Sequence, residues 1–85
     1  MSRREKIISR LVSRPRNFTY AELEVLMNLL GYKEVKSGKT SGSRRAFISG
    51  TNKHIIRLHK PHPGSELRIY QIDYIIHELK KNNLL

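Results

Sequence analysis

Apolar residues recur at helical spacing in the first third of the chain. The first set is Ile7, Ile8, Leu11 and Val12. Because Arg and Lys side chains take the other faces, this spacing predicts a basic helix over residues 2–14 that Pro15 ends. A second helix is indicated by Thr19 and Glu22, which match a capping box. Its apolar positions follow as Leu23, Leu26, Met27 and Leu30, and Gly31 favours a left-handed C-cap.

From Tyr32 onward the apolar period is closer to two, which is typical of strands. Strands are predicted over 32–36, 44–49 and 53–59, joined by a basic, glycine-rich connection and by a Gly50-Thr51-Asn52 turn. After Pro61 and Pro63, the helical stripe returns as Ile72, Ile75, Ile76 and Leu79. The order α-α-β-β-β-α predicts one α+β domain over residues 1–85, with a three-stranded antiparallel sheet covered by helices on one face.

The charge of the chain narrows the class of partner. Lys and Arg total 17 against 7 Asp and Glu, a net charge of +10, which attracts polyanions over a distance. Nucleic acid is the first candidate partner, an acidic protein the second and an anionic membrane surface the third. No apolar run is long enough to span a bilayer or to form a signal-peptide core, so we expect a cytoplasmic protein that does not enter the membrane.

The segment His59-Lys60-Pro61-His62-Pro63-Gly64 is the first candidate for chemistry. A residue before proline is pushed towards extended conformations, so we expect a stiff loop. Cleavage of RNA by its own 2′-hydroxyl needs a base and an acid, and two histidines can divide those tasks without a metal. Lys60 and Arg57 could hold the phosphate. The alternative is a polar turn with solvated histidines.

A metal site is not indicated in that loop. The chain has no cysteine, no carboxylate adjoins the histidine pair, and the cationic surroundings oppose a divalent ion. We therefore expect no metal and no other cofactor.

The second candidate is the connection into the second predicted strand. Its glycines allow the backbone to approach a phosphate, and Lys39, Ser43, Arg44 and Arg45 supply donors. The glycine spacing is not that of a P-loop, and an ordinary hairpin connection is the alternative. On the last helix, Tyr70, Tyr74 and His77 form a stripe that either stacks on bases or packs at the edge of the core or on a partner.

Three stretches of the chain together match a known pattern. They are Leu30-Gly31-Tyr32 at the end of a helix, the 39–43 entry to a strand, and above all Pro61-His62-Pro63-Gly64-Ser65-Glu66-Leu67 before the final helix. Through these stretches, residues 19–85 resemble the HicA toxins of bacterial toxin–antitoxin pairs. It implies a fold like a double-stranded-RNA-binding domain over 19–85, with 1–16 as an additional N-terminal helix. It also implies metal-independent cleavage of messenger RNA and inhibition by a HicB-like antitoxin.

One position departs from that family. Many members have a catalytic histidine directly after the Gly-Ser, where this chain has Arg44, and a guanidinium stays protonated at neutral pH. One hypothesis gives His59 and His62 the acid–base roles. Its phosphate contacts are Lys39, Ser43, Arg44, Arg45, Arg57 and Lys60. The others are an RNA-binding module that cleaves poorly or not at all, and a docking domain for an acidic protein.

Overall fold

The six elements follow one another in the predicted order. The structure, a computed structural model, describes residues 2–36 and 44–85. For Lys36 it describes the backbone but not the side chain. The elements are α1 (Arg3–Val12), α2 (Tyr20–Leu29), β1 (Tyr32–Lys36), β2 (Arg44–Ser49), β3 (Ile55–His59) and α3 (Ile69–Lys81). The strands form one antiparallel sheet in the order β1-β2-β3. The predicted α+β architecture is confirmed.

Local signals set the ends of α2. The Thr19 hydroxyl accepts the Glu22 N–H at 3.1 Å, and the Glu22 carboxylate accepts the Thr19 N–H at 3.0 Å, which is the predicted capping box. Gly31 has a φ of 87°, a left-handed conformation that glycine adopts without steric cost. The chain therefore leaves α2 and enters β1 within two residues.

β3 begins later than the predicted strand over 53–59. Lys53 has a φ of 62°, and the Asn52 side chain accepts the His54 N–H at 3.1 Å. Residues 52–54 therefore belong to the turn, and the strand starts at Ile55.

Alternation of side chains gives the sheet two different faces. Phe47 and Ile56 are partners across β2 and β3, and both are buried under the helices. α2 packs against β1, α3 packs against β3, and α1 packs on both α2 and α3. Leu11 of α1 is fully buried, so the first helix shares one core with the remainder of the domain. None of the three helices in the described ranges covers the other face of the sheet.

A short pairing outside the sheet holds the loop that follows β3. The Tyr20 N–H donates to the Ser65 carbonyl and the Leu67 N–H donates to the Phe18 carbonyl, both at 2.7 Å. Phe18 and Leu67 are buried. The proline-containing loop is therefore fixed at one end by β3 and at the other by the start of α2. Within the described ranges, no helix is both long and apolar enough to cross a membrane.

Candidate nucleic-acid interface

The open face of the sheet brings together Arg44, Arg57 and His59. Arg44 lies opposite His59, and Ala46 lies opposite Arg57. The Arg57 N–H and the His59 carbonyl point to α3 rather than to β2, so these are the non-hydrogen-bonded pairs in which cross-strand side chains come closest. Because Ala46 is small, the three larger side chains border a shallow pocket, to whose lining Arg45 and Leu58 also contribute.

This pocket is strongly cationic. Among the described residues that line it, none is acidic, and Lys33 on the same face of β1 is also exposed. Guanidinium groups bind phosphate through paired, charge-assisted hydrogen bonds. An imidazole beside two guanidiniums is therefore an arrangement suited to binding a phosphodiester and moving a proton near it.

α3 fixes the backbone of β3 at this site. The Tyr74 hydroxyl accepts the Arg57 N–H at 3.3 Å, and the Gln71 side-chain amide donates to the His59 carbonyl at 2.9 Å. The Gln71 oxygen accepts the Arg68 N–H at 3.0 Å. Gln71 is buried, so the position of His59 depends on α3 as well as on the sheet.

Gln71 was missed by the sequence analysis. The available signal was its place four residues before Ile75 and eight before Leu79, which puts a polar side chain on the apolar stripe of α3. A buried polar side chain needs a partner, and here the partners are the backbone of β3 and of the N-terminus of α3.

His62 lies apart from this pocket. It is exposed and borders a different depression together with Arg16, Glu66 and Arg68. His59 does not line that depression. The structure therefore brings His59, but not His62, together with Arg44 and Arg57.

The charged groups of Arg45 and Lys60 have neighbours on the helix-covered side, although Arg45 also contributes to the lining of the pocket. The Arg45 Nε atom is 3.7 Å from a carboxylate oxygen of Glu34, and the Lys60 Nζ atom is 5.4 Å from the centre of the Tyr20 ring. Of these two predicted phosphate contacts, Arg45 is thus next to a carboxylate of the protein itself, and Lys60 is next to an aromatic ring.

The groups around Glu34 form a polar cluster. The Tyr20 hydroxyl donates to Glu34 at 2.6 Å, and burial, followed by this contact, raises the pKa of Tyr20. A hydrogen bond to Glu34 raises the pKa of Glu24, with burial adding to it. Burial alone would raise the pKa of Glu34, but the contacts with Glu24, Tyr20 and Arg45 outweigh it and lower that pKa. The Glu34 charge offsets the nearby cations.

Two predicted phosphate contacts, Lys39 and Ser43, lie outside the described residues, and their roles stay predictions. In the parts of the chain that the structure describes, no group of three or more His, Asp or Glu side chains could hold a metal ion. No family model, curated protein or solved structure matches the chain.

Proposed function

We propose that this protein is a HicA-like, metal-independent endoribonuclease that acts on messenger RNA at the pocket of Arg44, Arg57 and His59. The observation that supports this proposal is the meeting of one imidazole and two guanidiniums on an open sheet face. Arg57 and His59 follow Arg44 by 13 and 15 positions in the sequence. The β2–β3 register brings the three residues together.

The proposed reaction is transfer of the phosphodiester to the neighbouring 2′-hydroxyl. The 2′-oxygen attacks phosphorus, the bond to the 5′-oxygen breaks, and the products are a 2′,3′-cyclic phosphate and a 5′-hydroxyl. His59 takes the proton of the 2′-hydroxyl as general base. Arg44 and Arg57 bind the non-bridging oxygens and stabilise the charge that develops on them.

The departing 5′-oxygen also needs a proton. In an in-line displacement it lies opposite the attacking oxygen, so its proton comes from a donor other than His59. The two candidates are His62, when the RNA strand extends over the proline-containing loop, and water. A His62→Gln variant separates them, because only the first candidate makes cleavage depend on His62.

The test is cleavage of RNA by the purified protein in EDTA. We expect products ending in a 2′,3′-cyclic phosphate, and His59→Gln should lower the rate by about 10²- to 10⁴-fold. His77→Gln is the matched control and should cleave at the wild-type rate, because His77 is exposed and is not among the residues that line the pocket or the neighbouring groove of Tyr70 and Tyr74. Undiminished cleavage by His59→Gln would contradict the site assignment.

A second candidate function is RNA binding without cleavage, and Arg44 favours it, because the resemblance leads us to expect a histidine at that position. It predicts binding that weakens with salt and no products after long incubation in any buffer. Turnover that is lost on substitution of His59 would exclude it.

In cells, we propose a cytoplasmic toxin held inactive by an acidic, HicB-like antitoxin that covers the open sheet face. Induction in bacteria should arrest growth and deplete messenger RNA, and His59→Gln should relieve both effects. Arrest that persists in the His59→Gln strain would separate toxicity from the proposed chemistry.

A further inference from the structure

A second groove adjoins the proposed reaction pocket. It lies between β3 and α3 and is lined by Arg57, Leu58, His59, Tyr70, Gln71 and Tyr74. Arg57 and His59 line both depressions. A ligand in one is therefore next to a ligand in the other, on the two sides of β3.

Tyr70 is the exposed wall of this groove. Its side chain is among the large apolar groups left in solvent, with 68% of the residue exposed, while Tyr74 is 36% exposed. Tyr70 lies in the first turn of α3, directly before Gln71, whose side chain donates to the His59 carbonyl. An aromatic ring at the mouth of a cationic groove is a surface on which a nucleobase can stack.

The polar groups at the floor of the groove already have partners. Gln71 uses its amide N–H on the His59 carbonyl and its oxygen on the Arg68 N–H, and the Tyr74 hydroxyl accepts the Arg57 N–H. The groove thus offers ring faces and cations, whereas its amide group is held by the protein backbone.

We propose that the groove binds one unpaired nucleobase of the RNA strand, stacked on Tyr70, next to the phosphate at Arg44, Arg57 and His59. This inference rests on the proposed function and extends it to the substrate class. Charge complementarity supports RNA as the occupant, because none of the lining residues that the structure describes is acidic and two are shared with the cationic pocket.

Two consequences follow for the substrate. A base that is paired and stacked in a duplex cannot enter the groove, so the site selects single-stranded RNA over double-stranded RNA. Because stacking uses the face of a base and every base has one, the preference for sequence at this position is weak.

The test measures binding of 2′-O-methyl oligonucleotides, which cannot be cleaved, to the wild-type protein and its variants by fluorescence anisotropy at one salt concentration. One oligonucleotide carries all its bases, and the other has the same backbone charge with abasic positions throughout. Tyr70→Ala removes the ring, and Tyr70→Phe keeps it. Val12→Ala is the control, because Val12 is an exposed apolar residue on a different helix, α1. Arg44→Gln, measured in parallel, reports on the phosphate pocket.

We expect Tyr70→Ala to weaken binding of the complete oligonucleotide by about 5- to 150-fold, the range for loss of one stacked base. Binding of the abasic oligonucleotide should not change, and Tyr70→Phe and Val12→Ala should bind both as the wild type does. Thermal unfolding of each variant checks that the fold is intact.

Two results would overturn the inference. An equal loss on both oligonucleotides would mean that Tyr70 acts on the structure rather than on a base. Unchanged affinity in Tyr70→Ala, with a loss in Arg44→Gln, would leave the proposed function standing and assign the groove to another occupant, such as a protein. Absence of salt-sensitive binding to either oligonucleotide would instead count against the proposed function itself.

Discussion

Arg44 and Arg45 are neighbours in sequence but lie on opposite faces of β2. Arg44 is exposed and opposite His59 on the open face. The side chain of Arg45 is only 15% exposed and lies 3.7 Å from Glu34 on the helix-covered face. Two identical side chains thus have different surroundings because a strand alternates its side chains: one faces solvent next to an imidazole, and the other is paired with a carboxylate.

Two other arginines, like Arg45, are paired with carboxylates. Arg10 of α1 makes a bidentate contact with Glu22 at 2.6 and 3.1 Å, and Arg14 contacts Asp73 at 2.7 and 3.0 Å. These carboxylates lie on the helical side of the molecule. The positive potential of the open sheet face therefore results from where the few acidic residues lie as much as from the number of basic ones.

The largest expected difference between the two faces of β2 is in the effect of substitutions on stability. Phe47 and Ile48 are adjacent in β2, but Phe47 is 1% exposed in the core and Ile48 lies on the open face. Phe47→Ala should lower the free energy of unfolding by about 3–5 kcal/mol, and Ile48→Ala by about 1 kcal/mol or less. Urea unfolding measures both, with Phe47→Leu as a milder core substitution. Equal losses would contradict the assignment of the two faces.

The next effect is on RNA binding. Replacing Arg44 and Arg57 together by Gln should reduce the slope of log affinity against log salt by about 1.4, at about 0.7 per phosphate contact on a single strand. The free energy of unfolding should change by about 0.5 kcal/mol or less, since both side chains are exposed. Titrations at several salt concentrations measure the slope. An unchanged slope would place the phosphates elsewhere.

Arg45→Met should instead lower the stability of the protein and leave the salt dependence of RNA binding unchanged. It removes one of the two cations, Arg45 and Lys60, that act on the partly buried Glu34 carboxylate, so the free energy of unfolding should fall by about 1–3 kcal/mol. The salt slope of RNA binding should stay close to the wild-type value. Arg44→Met carries the same change in net charge and is the control, with a reduced slope and wild-type stability. If the two variants behave alike, the division between the faces is wrong.

The smallest effect is a dependence of stability on pH. The hydrogen bond from Arg10 lowers the pKa of Glu22 from its usual 4.5 to about 2. A carboxyl whose pKa is lower in the folded state stabilises the protein above pH 4.5, and this contribution is lost as the pH falls towards 2. Because a third of the Glu22 side chain is exposed, solvent screening limits the loss to about 1 kcal/mol.

Glu22→Gln tests this origin, because Gln keeps the capping box and removes the charge. Urea unfolding between pH 7 and pH 3 should show a smaller decrease in stability for the variant than for the wild type. An identical decrease in both would assign the acid sensitivity to other carboxyls.

Local signals made the order of elements predictable. Thr19 and Glu22 are three residues apart and cap α2 with each other, and Gly31 ends that helix with its own backbone conformation. Such contacts involve only near neighbours, so the sequence contains them in full. The net charge of +10 is likewise a property of composition alone. The start of β3 was less predictable, because Lys53 adopts a left-handed conformation without being glycine.

The candidate site was predictable residue by residue but not as an arrangement. His59, Arg44 and Arg57 were all named from the sequence, yet their common pocket depends on the β2–β3 register. The place of Arg45 follows in part from alternation with Phe47, whereas its carboxylate, Glu34, comes from β1. His62 was grouped with His59 because the two are close in sequence, and the loop carries it to another depression.

The sequence by itself therefore determined the elements of this protein, their order and the excess of positive charge. Only the tertiary structure decided which cations lie beside His59 and which are neutralised under the sheet. The physical reason is that register and helix packing are set by distant apolar residues acting together, such as Phe47, Ile56 and Ile72 in the core. No short stretch of sequence contains that information.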